Sequence, residues 1–268
     1  MNLKTAALAT QFVNNVNVSV WANWQTISAD LRATRIWDQM SPILVSCSVP
    51  LPQFETGAMF GNGAAFFSSS DWKVVIGSGM VPDAPSRDEM TELLRTVYHE
   101  TRHCEQFFAV LRYLAANARS STFLQKQKEV DLSSFDGFFA SANGNDNTHP
   151  RMRAIAADYL NKRTGMPVDT CAEAVARPMR VGDELFSVAK EACESIFDAG
   201  NKRMLAQLTN HTTIHIKYNS SAVAQGRDYG SAYAAYFSTA MPYELDAFES
   251  ETLVGDEIAS RPTLFAAP

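Results

Sequence analysis

The sequence predicts an α+β fold that is mainly helical, with a small sheet near the N-terminus and a helical C-terminal half. Three observations lead to this prediction. Short strand-like runs of apolar residues occur mainly in the first third of the chain. A long amphipathic helix follows them over residues 87–117, and helical spacing dominates the rest. No hinge linker divides the 268 residues, so we expect one domain.

The N-terminal part of the chain begins with helical spacing and then changes to strand-like runs. Over residues 1–40, apolar side chains recur near helical spacing, as in Leu31, Ile36, Trp37 and Met40. Because proline lacks the backbone donor that a helix interior needs, we expect Pro42 to end this segment. Apolar runs bounded by proline or glycine then predict strands at 43–49, 65–67 and 72–76.

The helix predicted over residues 87–117 has the clearest local signals. Ser86 and Glu89 form a capping box, in which a serine and a glutamate three residues later satisfy the first backbone N–H groups. One face of the helix carries an apolar stripe made of Leu93, Val97, Cys104, Phe108 and Leu111. We therefore expect this helix to pack in the core.

The C-terminal half is predicted to be helical after a long polar connection. Residues 118–150 are rich in glycine and asparagine, and nothing in them decides between a lid and an interaction segment. Helices are expected at 151–164, 170–177, 183–209 and 228–238. Pro242 suits the first turn of a last helix, since the N–H that proline lacks has no partner there.

Charge and composition argue against several classes of function. The net charge is −6, so the basic field typical of nucleic-acid binding is missing and no nucleic-acid partner is expected. No apolar run is long enough to span a bilayer. No clear signal peptide is present, which leaves localisation open between the cytoplasm and export by a route without a cleavable signal. The four cysteines are too sparse for a disulfide framework, and we expect free thiols.

Residues 99–103 read H-E-T-R-H and match the zinc-binding pattern H-E-x-x-H. Histidines four positions apart project from one face of a helix, so His99 and His103 can bind one Zn²⁺. Glu100 lies about 100° around the helix from His99, where it can reach a zinc-bound water without being a ligand. We therefore predict zinc as the cofactor, with Glu100 as the catalytic base that takes a proton from the attacking water.

The position of the motif on its helix supports a metal site over an accidental pair of histidines. The two histidines lie on a different face from the apolar stripe, so we do not expect them to be core residues. Glu92, Thr96 and Gln106 continue the histidine face, which suits the floor of a wet cleft. Arg102 is turned about 100° from His103, and we expect it to pair with a carboxylate and brace the helix.

A catalytic zinc usually has three protein ligands and one water, so a third ligand is required. Residues 104–117 offer no histidine or aspartate. The best candidate is Glu244, near the start of the last predicted helix and three residues before a small side chain; Glu249 and Asp246 are the fallbacks. Acidic residues in a first turn also interact favourably with the helix dipole, so these carboxylates can serve to stabilise the helix instead of binding a metal.

Three further residues are candidates for hydrogen bonding to an oxyanion formed at the zinc: His211, His215 and Tyr218. The two histidines are again four apart, but the threonine and isoleucine residues around them favour an extended segment over a second helical metal pair. An ordinary polar role is the alternative for all three.

A helix bearing H-E-x-x-H and a later helix that supplies a glutamate resemble the gluzincin type of zincin metallopeptidases. More narrowly, H-E-T-R-H-C-E-Q at 99–106 and Y-E-L-D-A-F at 243–248 resemble the H-E-x-R-H-x-x-Q type of bacterial metallopeptidase domains, some of which are toxins or effectors delivered by secretion systems. The resemblance covers only these two segments. It implies a zincin-like fold with His99, His103 and Glu244 as ligands and Glu100 as the base.

The resemblance also implies that an extended peptide adds to an edge strand lining the cleft, and residues 72–78 are the candidate for that strand. The chain departs from thermolysin-like gluzincins in two ways. The interval between the motif and Glu244 is far longer, and the Asn/Gly-Glu-x-x-Ser-Asp motif is missing. Both departures concern the third ligand rather than the histidine pair.

The sequence therefore predicts a zinc metallopeptidase in a single domain, residues 1–268, with its cleft between 65–117 and 205–260. Its partners would be a peptide or protein substrate and, for an effector, a secretion system or an immunity protein. Two alternatives stay open: a cell-wall peptide amidase with the same zinc site, and a non-catalytic protein whose metal is structural or absent. Glu100 distinguishes an enzyme from the non-catalytic alternative, because a structural zinc site has no need of this residue.

Overall fold

The computed structural model describes residues 2–57, 65–68, 71–117, 149–177 and 242–265. Within these ranges the chain is α+β and mainly helical, as the sequence predicts. The described α-helices are α1 (Ala6–Ser19), α2 (Ala29–Ser46), α3 (Arg87–Asn117), α4 (His149–Thr164), α5 (Val168–Ala176) and α6 (Pro242–Ala259). The described strands are β1 (Gln53–Gly57), β2 (Ala65–Ser68) and β3 (Lys73–Gly77).

The three strands form one mixed sheet with β3 in the centre. β1 pairs with β3 in parallel, whereas β2 pairs with β3 antiparallel. Val74, Val75 and Ile76 of β3 are all buried, as expected for a strand covered on both faces. The strands predicted at 65–67 and 72–76 are confirmed as β2 and β3. β1 was not predicted because its sequence, Q-F-E-T-G, has no apolar run, and its pairing with β3 is what makes it a strand.

The prediction of a strand at 43–49 is wrong, because α2 continues through Pro42 and ends at Ser46. The apolar face of this helix extends across the proline through four buried side chains: Ile36, Met40, Ile43 and Leu44. Core packing on both sides of Pro42 therefore outweighs the one backbone hydrogen bond that proline removes.

α3 begins where the capping box predicts. The backbone N–H of Ser86 donates to Oε2 of Glu89 (2.7 Å), and the backbone N–H of Glu89 donates to Oγ of Ser86 (3.2 Å). The hydrogen bonds with Ser86 hold the pKa of Glu89 below its ordinary value. The predicted apolar stripe is buried along its whole length: Leu93, Val97, Cys104, Phe108 and Leu111.

Ser86→Ala should lower the free energy of unfolding by about 1 kcal/mol, since it leaves a backbone N–H in the first turn of α3 without its acceptor. Urea denaturation followed by circular dichroism measures this difference. Ser28→Ala is the matched control, because Ser28 is the N-cap of α2 but its side chain makes no capping hydrogen bond. An equal loss in the two variants would contradict a capping role for Ser86.

α6 lies antiparallel to α3, and the contacts between these two helices are the most extensive in the described fold. At one end, the guanidinium of Arg87 donates to the backbone carbonyl of Ile258. Further along α3, Arg102 bonds to Asp246. The first turns of α6 therefore lie beside the C-terminal half of the H-E-x-x-H motif. The start of this last helix at Pro242 is confirmed.

The N-terminal segment is fastened to α3 beside the motif. Leu3 is fully buried; its N–H donates to Oε2 of Glu105 (3.0 Å), and its carbonyl accepts a hydrogen bond from the Tyr98 hydroxyl (2.5 Å). Nζ of Lys4 lies 3.5 Å from Oδ1 of Asp246 on α6. This short segment therefore contacts both of the helices that carry the predicted site.

Two of the predicted C-terminal helices can be compared with the structure. Those predicted at 151–164 and 170–177 are confirmed as α4 and α5. The helices predicted at 183–209 and 228–238, and nearly all of the connection at 118–150, lie outside the described residues. The cysteines in the described ranges are free thiols, as expected. No helix in the described part of the chain is long and apolar enough to cross a membrane.

Candidate metal centre

His99 and His103 face each other on α3. Their Nε2 atoms are 2.9 Å apart, and their rings are nearly perpendicular, with an interplanar angle of 83°. Two nitrogen ligands about 2.0–2.1 Å from a tetrahedral zinc are separated by roughly 3.3 Å, so a small rotamer adjustment would fit the ion between them. The two side chains therefore converge as their i, i+4 spacing predicts.

Gln106 lies against the far side of the His103 ring. Its Oε1 is 2.8 Å from Nδ1 of His103, and its Nε2 donates to Oδ2 of Asp246 (2.6 Å). Asp246 in turn accepts hydrogen bonds from Nε (2.7 Å) and Nη2 (2.9 Å) of Arg102. Gln106 is buried, contrary to the expectation that it lines a wet cleft, because its amide is used in the contact between α3 and α6.

His99 is covered by the adjacent part of α6. Oε2 of Glu251 lies 3.1 Å from Nδ1 of His99, and Arg95 binds the other carboxylate oxygen at 2.5 Å. The ring of Phe248 lies 4.8 Å from that of His99. Sequence reasoning missed Glu251. It follows Glu244 by seven residues, and that two-turn spacing is the signal that could have found it.

Glu100 reaches from α3 to the sheet. Its Oε2 accepts a hydrogen bond from the backbone N–H of Phe67 on β2 (2.7 Å), which fixes the carboxylate against this edge strand. Within the described sheet, the edge strand beside the motif is thus β2. The prediction that residues 72–78 form that edge is wrong, because the buried run within them becomes the central strand β3.

Arg102 is fully buried behind the two histidines, where it is bonded to two carboxylates. Besides Asp246, it donates from Nη1 to Oε2 of Glu105 (2.7 Å). Burial opposes ionisation of Asp246, but hydrogen bonds from Arg102 and Gln106 outweigh it and hold the pKa of Asp246 below its ordinary value. Burial raises the pKa of Glu105 despite the nearby Arg102. The prediction that Arg102 pairs with a carboxylate and braces the helix is confirmed.

The candidates for the third ligand belong to the first half of α6. Glu244 is in the first turn, but its side chain lies outside the described residues. Both oxygens of Asp246 are bonded to Arg102, and the exposed Glu249 pairs with Lys4 at 2.6 Å. These contacts favour Glu244 as the candidate for the third ligand. Because α3 and α6 pack antiparallel, the first turn of α6 lies near His103.

The other predicted site residues, His211, His215 and Tyr218, lie outside the described residues. Among the residues that are described, no group of three or more His, Cys, Asp or Glu side chains is arranged to hold a metal ion. The described residues therefore bring two histidines together, and metal binding, the third ligand and the oxyanion donor stay predictions.

The chain matches no protein-family model, and comparisons with curated proteins and with solved structures give no significant match. Neither the fold family nor the reaction can therefore be taken from a relative. The chemistry of the residues in the site is the basis for any assignment of function.

Proposed function

We propose that the chain is a zinc-dependent hydrolase that cleaves peptide amide bonds. The observation that carries this proposal is the pair of Nε2 atoms of His99 and His103, which face each other 2.9 Å apart. A cation placed between two such nitrogens satisfies both, and zinc is well suited to imidazole ligands. Hydrolysis by an activated water also requires a base, and the carboxylate of Glu100, the residue after His99, would serve as that base. Glu244 would complete the ligand set.

In this proposal the side chains around the metal move the proton and orient the reacting groups. Bound zinc would supply Lewis acidity towards the scissile carbonyl and lower the pKa of a water molecule. Glu100 would take the proton of the attacking water and deliver it to the leaving amine. The backbone N–H of Phe67 holds the Glu100 carboxylate on the sheet side of α3. One of His211, His215 and Tyr218 would stabilise the oxyanion.

The position of β2 supports an extended peptide as the substrate. β2 is at the edge of the described sheet, and Glu100 is bonded to its residue Phe67. A peptide that adds to a sheet edge is bound mainly through its backbone, so little sequence selectivity is expected. The same arrangement would accept a cell-wall peptide. Amidase activity is therefore the alternative, and substrate assays have to distinguish it from peptidase activity.

Metal analysis of the purified protein tests the proposal. We expect about one zinc per wild-type chain, the number that one catalytic site holds, and loss of that zinc in His99→Ala and His103→Ala. A wild-type chain that binds no zinc would overturn the proposal.

Hydrolysis of a mixed fluorogenic peptide library would support a peptidase, and activity on peptidoglycan alone would support the amidase. Bound zinc without either activity would indicate a structural metal.

Glu244→Ala tests the third ligand. We expect zinc affinity to fall by more than about 100-fold, beyond the range typical for loss of an outer-shell partner, because a ligand of the ion itself is removed. Competition with a chromophoric chelator measures this change. Glu249→Ala is the comparison variant, since Glu249 is the exposed fallback candidate on the same helix and pairs with Lys4; a loss of zinc affinity in it instead of in Glu244→Ala would assign the ligand to Glu249. Equal zinc affinity in the two variants would show that the third ligand lies elsewhere.

A further inference from the structure

The amide of Gln106 lies between the ring of His103 and a buried ion pair. Its Oε1 faces Nδ1 of His103 at 2.8 Å, and its Nε2 donates to Oδ2 of Asp246 at 2.6 Å. Asp246 is held by two hydrogen bonds from Arg102, at 2.7 and 2.9 Å. We refer to Arg102, Asp246 and Gln106 as the orienting network.

The chemistry of these groups determines which nitrogen of His103 carries a proton. An arginine side chain only donates hydrogen bonds, so Asp246 is bound to Arg102 as the acceptor-only carboxylate. Because this carboxylate only accepts, the end of the Gln106 amide that faces it must be the NH₂ group. The carbonyl oxygen of Gln106 therefore faces His103. That oxygen is also only an acceptor, so Nδ1 of His103 must be protonated. In the neutral ring, Nε2 therefore carries the lone pair.

We propose that Gln106 is a positioning residue that keeps His103 in the Nδ1–H tautomer, with the Nε2 lone pair directed at the metal site. This inference rests on the proposed zinc-dependent function and adds a residue to it. A histidine ligand needs its coordinating nitrogen unprotonated and its ring fixed, and a hydrogen bond to the other ring nitrogen supplies both conditions.

The two histidines are oriented by different groups. Nδ1 of His99 lies 3.1 Å from Oε2 of Glu251, whereas Nδ1 of His103 lies 2.8 Å from Oε1 of Gln106. Since Gln106 belongs to α3 and Asp246 to α6, the tautomer of His103 depends on the packing of these two helices. Separation of α6 from α3 would free the amide of Gln106 to turn over and present a donor to His103.

Two substitutions of Gln106 separate control of the tautomer from simple packing. Gln106→Met has a similar length but offers no acceptor to His103 and no donor to Asp246. Gln106→Glu keeps an acceptor oxygen facing Nδ1 of His103, because a proton on the new carboxyl belongs on the oxygen that faces Asp246, so we expect this variant to retain the tautomer. Thr101→Val is the control for loss of a buried polar group on α3, because the hydroxyl of Thr101 bonds to the backbone carbonyl of Val97.

The first measurement uses the metal-free protein and does not depend on activity. Long-range ¹H–¹⁵N correlation spectra report the tautomer of each of the five histidines, and His103→Ala identifies the signals of His103. We expect the Nδ1–H form in the wild type, in Gln106→Glu and in Thr101→Val, and a mixture of tautomers in Gln106→Met. A predominantly Nε2–H ring in the wild type would overturn the inference.

The second measurement is zinc affinity by chelator competition. Gln106→Met should bind zinc about 10–100-fold more weakly than the wild type, and Gln106→Glu should bind more tightly than Gln106→Met. Unchanged affinity in Gln106→Met, or an equal loss in Thr101→Val, would overturn the positioning role. If the wild type binds no zinc, the proposed function fails while the spectra still decide whether Gln106 sets the tautomer. Because the wild-type spectrum alone can refute the inference, it remains testable even if Gln106→Met does not fold.

Discussion

Replacing Glu100 by glutamine is expected to lower kcat for peptide hydrolysis by about 10²–10⁴-fold, because the amide cannot take the proton of the attacking water. Glutamine has the same shape, and its carbonyl oxygen can still accept the hydrogen bond from the N–H of Phe67. The variant should therefore fold and keep its zinc. Steady-state kinetics on a cleaved peptide, together with metal analysis of the same sample, measure the two properties.

Glu92→Gln is the matched control for this prediction. Glu92 is an exposed carboxylate two turns earlier on α3, and its closest described charge partner is Arg95 at 3.5 Å. The control should retain both activity and zinc. Near-wild-type hydrolysis by Glu100→Gln with zinc still bound would show that Glu100 is not the base, and loss of zinc from this variant would assign Glu100 to metal binding instead.

Arg102→Met is expected to lower the free energy of unfolding by about 3–5 kcal/mol, the range for breaking a buried ion pair by removal of one partner. Arg102 is fully buried and hydrogen-bonds to Asp246 and Glu105, so its loss removes the guanidinium from two buried carboxylates and leaves Asp246 facing the more distant Lys4 at 3.5 Å. Burial already raises the pKa of Glu105. Urea denaturation of the metal-free protein measures the change without a contribution from zinc.

Arg35→Met removes the same kind of side chain from an exposed position and serves as the reference. Arg35 is more than half exposed, and its partner Asp38 lies 3.6 Å away on the same helix. Its replacement should change the free energy of unfolding by less than about 0.5 kcal/mol, as is typical of surface sites. If Arg102→Met lowers the free energy of unfolding no more than Arg35→Met does, the buried cluster does not stabilise the fold.

The features that local signals specify were predicted well from the sequence. The start of α3 follows from Ser86 and Glu89, which contact each other across one turn, and its buried face follows from helical periodicity. The spacing of His99 and His103 likewise predicts their convergence, because both lie on one rigid helix. None of these inferences requires knowledge of a distant segment.

The errors have a common physical origin in tertiary contacts. Pro42 looked like a helix end, but buried side chains on both sides of it keep α2 helical. Residues 72–78 looked like a possible edge strand, but strand order depends on which segments pair. Arg102 was expected to find a carboxylate, yet nothing near it in sequence shows that Asp246, 144 positions later, is the partner.

The distance along the chain between Arg102 and Asp246 also has a consequence for biosynthesis. α6 follows α3 far along the chain, so the residues that orient His103 and cover His99 leave the ribosome well after the motif itself. Contacts of such high sequence separation cannot form while the C-terminal segment is still unmade. A nascent chain can therefore form α3 early without assembling the candidate metal centre. The proposed hydrolase would become active only after α6 has been synthesised and packed against α3.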